Sequence, residues 1–112
     1  VRTYFLDIVQ QIYYPADHKL RLPLVDDSYI DLFLSLTVKN IFAFHWERRH
    51  VDGTIFRYDN YPHKKWEKVK SYPYHLHYQS EARVVTAPFH HTPDKALVDF
   101  LEFVRAELKK RS

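Results

Sequence analysis

The sequence predicts an α+β fold, an antiparallel sheet of four to five strands with an N-terminal and a C-terminal helix packed on it. Apolar residues recur at helical spacing near both ends of the chain, and its centre alternates apolar and polar residues with the period of a strand. The only glycine falls in an Asp-Gly pair, which is typical of a hairpin turn. A length of 112 residues predicts one domain, residues 1–112.

The N-terminal helix is expected over residues 4–13, where one apolar stripe has the i, i+3, i+4, i+7 spacing of a helix. The stripe consists of Phe5, Ile8, Val9 and Ile12. Pro15 ends this helix, because the residue before a proline disfavours the helical conformation. Residues 17–27 then predict a short edge strand, where a proline is tolerated.

The central strands are predicted around a hairpin. Residues 29–38 are rich in β-branched and aromatic residues, and Asn40 indicates a turn after them. Residues 41–49 alternate apolar with polar or small residues, the pattern of a half-buried strand. The Asp-Gly pair at 52–53 predicts the turn into a return strand over residues 54–58.

The last third of the chain predicts a loop, a strand and a helix. Residues 60–81 show no clean periodicity, and residues 83–87 predict a short strand. Thr92 as N-cap, Pro93 at the first helical position and Asp94 in the first turn predict the start of the C-terminal helix. The apolar stripe of this helix consists of Leu97, Phe100, Leu101, Val104 and Leu108.

The composition excludes several classes of function. A chain without cysteine has no disulfides, no Cys-ligated zinc and no thiol nucleophile, and a single glycine excludes Gly-rich phosphate loops. The net charge of +3 is compatible with an RNA substrate. No apolar run approaches the roughly 20 residues of a membrane helix. Because no signal-peptide pattern is present either, we expect a cytoplasmic protein without membrane contact.

The residues suited to acid–base chemistry follow the predicted hairpin. They are Arg57, Asp59, His63, His75 and His77. On an extended segment the last two histidines point to the same face. Arginine stabilises phosphate charge, and histidine exchanges a proton near neutral pH, which together suit metal-free RNA cleavage. The side chains suited to bind the nucleic acid are Lys64, Lys65, Lys68, Tyr58 and Tyr74.

Two alternatives to this acid–base site stay open. His63, His75 and His77 could bind a divalent metal such as zinc, with Asp59 or a water as a further ligand. The prolines, histidines and aromatic residues of this stretch could also form a purely structural loop cap. A single His-x-His pair does not decide between a metal site and metal-free chemistry.

The same stretch contains two motifs, Arg57-Tyr58-Asp59-Asn60-Tyr61-Pro62-His63 and Pro73-Tyr74-His75-Leu76-His77. In this order they resemble the R-x-D-N-x-P-H and P-x-H-x-H stretches of the TumE-type toxin family of prokaryotic toxin–antitoxin pairs, and the resemblance extends over residues 28–108. It implies a small cytoplasmic growth-inhibiting toxin that a cognate antitoxin neutralises. Lys64 stands where members of the family often have a second histidine.

Together these observations predict the toxin component of a toxin–antitoxin pair that cleaves RNA as a metal-independent ribonuclease. His63 and either His75 or His77 would be the acid–base pair, Arg57 would stabilise the phosphate, and Asp59 would orient a His or Arg. No cofactor is predicted. The alternatives are a non-enzymatic inhibitor of a replication or translation component and a His-ligated metal-dependent nuclease. The predicted partners are the antitoxin and RNA, and a homodimer stays open.

Overall fold

The computed structural model describes residues 5–16, 18–35 and 40–111, and within them seven antiparallel strands form one sheet in sequence order. The strands are β1 (Tyr13–Ala16), β2 (Lys19–Pro23), β3 (Tyr29–Leu34), β4 (Phe42–Arg48), β5 (Thr54–Asp59), β6 (His75–Gln79) and β7 (Val84–Thr86). One helical turn, α1 (Arg49–Asp52), joins β4 to β5, a 3-10 turn covers Lys64–Trp66, and the long helix α2 covers Pro93–Arg111.

The hydrophobic core lies between one face of the sheet and α2. Alternate residues of β4 point to this face, so Phe42, Phe44 and Trp46 are buried while Ala43 and His45 are half-buried on the opposite face. From α2 the core receives Ala96, Phe100, Leu101 and Val104. Leu97 and Leu108, also predicted on the apolar stripe, are partly buried against the same cluster.

The opposite face of the sheet is polar, and its register positions the candidate site. Arg57 pairs with His77, and Asp59 pairs with His75, across β5 and β6. These four side chains therefore lie on two adjacent rows of one face, away from the core.

The predicted N-terminal helix is wrong. Residues 5–9 form a single turn closed by the Val9 amide and the Phe5 carbonyl at 2.8 Å, Val9 then makes an isolated bridge to Leu24, and β1 follows. Residue 4 lies outside the described residues. Phe5, Ile8 and Val9 are buried, so the apolar stripe reaches the core without a helix. A short helix is marginal alone, and pairing with residues 23–25 instead engages the Gln10 amide and the Ile8 carbonyl.

The predicted strand number is also wrong, since the described residues hold seven strands rather than four or five. β6 was missed because polar histidines occupy its outer face and hide its periodicity. The strand expected within residues 17–27 is β2, but β1 covers it, so β2 is an interior strand. Asp17 and residues 36–39 lie outside the described residues.

Other predicted elements are confirmed. The β4–β5 hairpin forms, and Gly53 ends α1 with φ of +80°, a left-handed conformation that glycine adopts without steric cost. Asn40 has φ of +66° at the predicted turn. The C-terminal helix begins at Pro93, as predicted. No helix among the described residues is long and apolar enough to cross a membrane.

Candidate functional site

An open cavity of about 430 Å³ lies on the polar face of the sheet. Its lining residues are Arg57, Asp59, Tyr61, His63, Lys65, Trp66, His75, His77 and Glu81. All five residues that the sequence suggested for acid–base chemistry are among them. The strands β5 and β6 supply four of these five side chains, and the segment after β5 folds back to add His63 and the ring of Trp66.

Asp59 connects the polar side chains of the cavity. Its carboxylate lies 3.0 Å from Nε2 of His75, 3.5 Å from Nε of Arg57 and 3.9 Å from Nε2 of His77. It also accepts a hydrogen bond from the backbone amide of Tyr61 at 3.1 Å. Asp59 is 5% exposed, so these partners compensate a carboxylate that has little contact with water.

The two histidines of β6 are both buried but have opposite electrostatic environments. Burial lowers the pKa of His75, but the hydrogen bond to Asp59, the charge of that carboxylate and the bond from Nδ1 to the Pro73 carbonyl raise it above its usual value near 6.5. Both ring nitrogens of His75 therefore donate to acceptors, as in an imidazolium ion.

His77 favours the neutral form. Burial lowers its pKa, and the positive charge of Arg57 lowers it further. Nδ1 lies 2.8 Å from the backbone carbonyl of Glu81, which only accepts, so the proton of the neutral ring is on Nδ1. Nε2 then carries a lone pair and faces Asp59 at 3.9 Å, beyond hydrogen-bond distance.

Arg57 is fixed by two carboxylates but retains an unpaired donor. Its Nη2 donates to the carboxylate of Glu81 and its Nε forms an ion pair with Asp59. Among the described buried side-chain atoms, Nε of Arg57 is the one without a hydrogen-bond partner. A guanidinium at the wall of an open cavity is suited to an anion such as phosphate.

His63 lies at the exposed edge of the cavity. Its Nδ1 accepts the backbone N–H of Lys65 at 3.1 Å and so caps the 3-10 turn. Its ring and the rings of His75 and His77 lie around Trp66, with centroid distances of 6.4, 6.1 and 5.7 Å. His63 is not in the compact group of potential metal ligands that the described residues form.

That compact group consists of Asp59, His75 and His77, whose ligand atoms lie within 4.8 Å of one another. Each histidine directs Nδ1 to a backbone carbonyl and Nε2 toward Asp59. This is the orientation in which metal-bound histidines are commonly held. The positive charge of the nearby Arg57 guanidinium repels a metal cation. The ligand atoms therefore suit a metal, whereas the positive charge beside them favours an anion.

The residues suggested for nucleic-acid binding divide into two groups. Lys64, Lys65 and Lys68 are exposed beside the cavity. Tyr58 is fully buried in the core, and its hydroxyl donates to the His90 carbonyl at 2.9 Å, so its ring is inaccessible to a base. Tyr74 is half-buried and stacks on His91 at a centroid distance of 3.9 Å, outside the cavity.

Sequence reasoning missed Trp66 and Glu81 as cavity residues. Trp66 covers the two β6 histidines, and Glu81 contacts both Arg57 and His77. Both residues lie in stretches without periodicity. Four-residue spacing such as that of His77 and Glu81 predicts a contact on a helix, and His77 lies on a strand, so no local pattern indicated Glu81.

A family model described as toxin TumE matches residues 5–108. No curated protein and no solved structure matches the chain. The matched region includes the whole cavity and extends from the first described residue nearly to the end of α2. The chain therefore belongs to the toxin TumE family and is a toxin component.

Proposed function

We propose that this toxin cleaves RNA without a metal, by moving the proton of a ribose 2′-hydroxyl. The observation that supports the proposal is the grouping of His77, whose Nδ1 lies 2.8 Å from the Glu81 carbonyl, with Arg57 and the Asp59-bonded His75 in one cavity. The 2′-oxygen attacks the adjacent phosphorus, the bond from phosphorus to the 5′-oxygen breaks, and the products are a 2′,3′-cyclic phosphate and a 5′-hydroxyl.

His77 is the proposed general base. Its Nε2 carries a lone pair because Nδ1 donates to the Glu81 carbonyl. Both nitrogens of His75 are engaged, which makes that ring unsuited to accept a proton. A general base must be unprotonated at the working pH, and the lowered pKa of His77 favours this neutral form.

His63 is the proposed general acid for the 5′-oxygen, through Nε2 of its imidazolium form, in which a protonated Nδ1 no longer accepts the Lys65 amide. It lies at the exposed cavity edge, where protons exchange with solvent. Arg57 is the group that stabilises the negative charge on the phosphorus oxygens, through its guanidinium charge at the cavity wall. Asp59 positions Arg57 and holds His75 as a cation close to the same charge. The exposed Lys64, Lys65 and Lys68 bind the flanking phosphates.

The experiment is an RNA cleavage assay in excess EDTA, with end-group analysis of the products. The wild-type toxin should produce 2′,3′-cyclic phosphate ends. His77→Asn should lower the cleavage rate by about 10²–10⁴, the usual contribution of a general base. His90→Ala is the matched control, since His90 is exposed beside α2 and should leave the rate unchanged.

The outcomes separate the alternatives. Cleavage that EDTA abolishes would contradict the metal-free mechanism. If the toxin inhibits growth but cleaves no RNA, the protein is a non-enzymatic inhibitor of a replication or translation component. If His77→Asn and His90→Ala cleave at the same rate, His77 is not the base.

A metal-dependent nuclease is the second candidate, and the convergence of Asp59, His75 and His77 favours it. These three residues would hold a divalent ion such as zinc, which would activate a water or polarise the phosphate. Zinc titration by calorimetry tests this candidate: binding that His75→Ala and His77→Ala both abolish, together with cleavage that zinc restores after EDTA, would support it.

We further propose that the toxin is cytoplasmic, that residues 1–112 fold as one domain, and that a cognate antitoxin protein neutralises it. Family membership supports the antitoxin partner. Co-expression with the neighbouring gene product should restore growth, and the two proteins should copurify as a complex. Light scattering of the toxin alone tests the homodimer, and a single unfolding transition tests the single domain.

A further inference from the structure

The face of the sheet that carries the cavity continues across β4 to β3. Along one row, His75 pairs with Asp59, Asp59 with Ala43, and Ala43 with Phe33. On this face Asp31, Phe33, Ala43 and His45 are half-buried, whereas Ile30, Leu32, Phe42 and Phe44 on the α2 face are buried. The small side chain of Ala43 leaves no bulky group in this row between the cavity and Phe33.

Two aromatic rings lie at the end of this row. Phe33 and Tyr61 are stacked, with an interplanar angle of 24° and a centroid distance of 6.4 Å. Tyr61 is 43% exposed and also lines the cavity. Its backbone amide donates to Asp59, which anchors the backbone at Tyr61 beside the proposed catalytic groups.

We infer that this face binds single-stranded RNA, with one unpaired base stacked on the exposed ring of Tyr61, which Phe33 supports from the sheet. This inference rests on the proposed ribonuclease function and names its substrate class. Aromatic side chains on an open sheet face stack unpaired bases, and duplex bases are not free to do so. Neighbouring strands are about 4.8 Å apart, so β3 and β5 are about 10 Å apart, which places the stacked base beside the reacting nucleotide.

The charges along this path favour RNA as the occupant. Arg57 and Lys65 line the cavity, and Lys64, Lys68 and Lys70 are exposed on the same connecting segment. An RNA strand that crosses the face would place its base on Tyr61 and its backbone phosphates near these cations. The remaining aromatic wall of the cavity is Trp66, whose ring is 5.7 Å from that of His77.

The test measures binding in a His77→Asn background, so that the RNA is not cut. The probe is a fluorescent single-stranded RNA of mixed sequence, compared with the same RNA in a duplex. Tyr61→Ala should weaken single-strand binding by about 5- to 100-fold, the contribution of one stacked base. Tyr61→Phe should bind within about twofold of the parent, because the ring is retained.

Tyr14→Ala is the matched control, since Tyr14 is 73% exposed on β1 and lies outside this row. It should bind as the parent does. A series of probes with one abasic position each should show a single position at which Tyr61→Ala has no further effect. This pattern would assign one base to the ring.

Three results would overturn the inference. They are unchanged single-strand binding by Tyr61→Ala, equal binding of duplex and single strand, and a Tyr61→Ala variant that loses antitoxin binding but retains RNA binding. In each case RNA cleavage is measured separately, with the wild-type protein and with a Tyr61→Ala variant that retains His77. Cleavage with unchanged KM in Tyr61→Ala would reject the stacking site alone, whereas absence of cleavage by the wild-type protein would reject the proposed function.

Discussion

Nε2 of His75 lies 3.0 Å from Oδ1 of Asp59, its register partner on the adjacent strand. This contact and the nearby negative charge raise the pKa of His75 although the ring is buried. His77 is two residues further along the same strand and 3.9 Å from the same carboxylate, and its pKa is lowered instead. Asp59 outweighs burial at His75, whereas burial and Arg57 outweigh Asp59 at His77, so the pKa values of the two histidines shift in opposite directions on one face of β6.

The pH dependence of RNA cleavage should reflect His77. Because burial and Arg57 lower the pKa of this base, kcat/KM should rise with pH along a limb whose midpoint lies below 6.5. Arg57→Gln should lower the rate but move this midpoint upward, since it removes a cation that disfavours the imidazolium form. The measurement is kcat/KM against pH for both proteins.

The control for this shift is Lys95→Gln, which removes an exposed cation of α2 at a site away from the cavity. Its midpoint should equal that of the wild type. A rising limb centred above pH 7, or an unmoved midpoint in Arg57→Gln, would contradict His77 as the titrating base.

Asp59→Asn should lower the pKa of His75, because the hydrogen bond to a carboxylate and its charge both favour the imidazolium form. A folded-state pKa above the unfolded value adds stability at low pH, and this stability is lost as the pH rises through the folded pKa. The free energy of unfolding lost in Asp59→Asn should therefore be larger at about pH 5.5 than at about pH 8.5. Histidine NMR titration and urea unfolding measure the two quantities.

His75→Gln in the Asp59→Asn background separates this effect from the loss of the Arg57–Asp59 ion pair. When His75 is already replaced by Gln, the free energy of unfolding lost through Asp59→Asn should be the same at both pH values, since the titrating ring is gone. An equal loss in Asp59→Asn at both pH values would show that the His75–Asp59 contact does not alter stability through protonation.

Tyr58→Phe should affect stability and not RNA binding. The phenol is fully buried, and its hydroxyl donates to the His90 carbonyl at 2.9 Å. Removing this hydrogen bond should lower the free energy of unfolding by about 1 kcal/mol. Urea unfolding and RNA affinity are the measurements, and weakened RNA binding at unchanged stability would place Tyr58 at the RNA surface after all.

Gly53→Ala should destabilise the β4–β5 hairpin without a clash. Gly53 has φ of +80°, and a Cβ there would meet no heavy atom within 4 Å, so the cost is confined to the backbone. This left-handed conformation should cost about 1 kcal/mol for alanine. Gly53→Asn should lose less, because asparagine tolerates this region better, and an equal loss for both variants would contradict this explanation.

Local patterns were sufficient for elements whose determinants are close in sequence. The Thr92-Pro93-Asp94 start of α2, the turn at Asn40 and the β4–β5 hairpin all form where the sequence predicts them. The motifs also indicated five residues that line one cavity. Their catalytic roles stay predictions, and the burial of Tyr58 removed one residue from the suggested binding surface.

Long-range pairing was beyond those local patterns. The N-terminal apolar residues have helical spacing, yet they pack through one turn and a bridge to Leu24, because the Gln10 amide and the Ile8 carbonyl pair with the distant residues Pro23 and Val25. β6 has no recognisable periodicity, and it is a strand because β5 and β7 pair with it on both sides. Tertiary context overrides local preference at both places.

The sequence by itself determined which chemical groups this toxin carries and that His75 and His77 share a face, since alternation along a strand is a local property. Only the tertiary structure decided in which direction the pKa of each histidine shifts. The register between β5 and β6 places Asp59 beside His75 and Arg57 beside His77. The chain reverses after β6 and brings Glu81 into contact with both Arg57 and His77. Protonation depends on burial and on charges within a few ångströms, and these neighbours come from segments far apart in the chain.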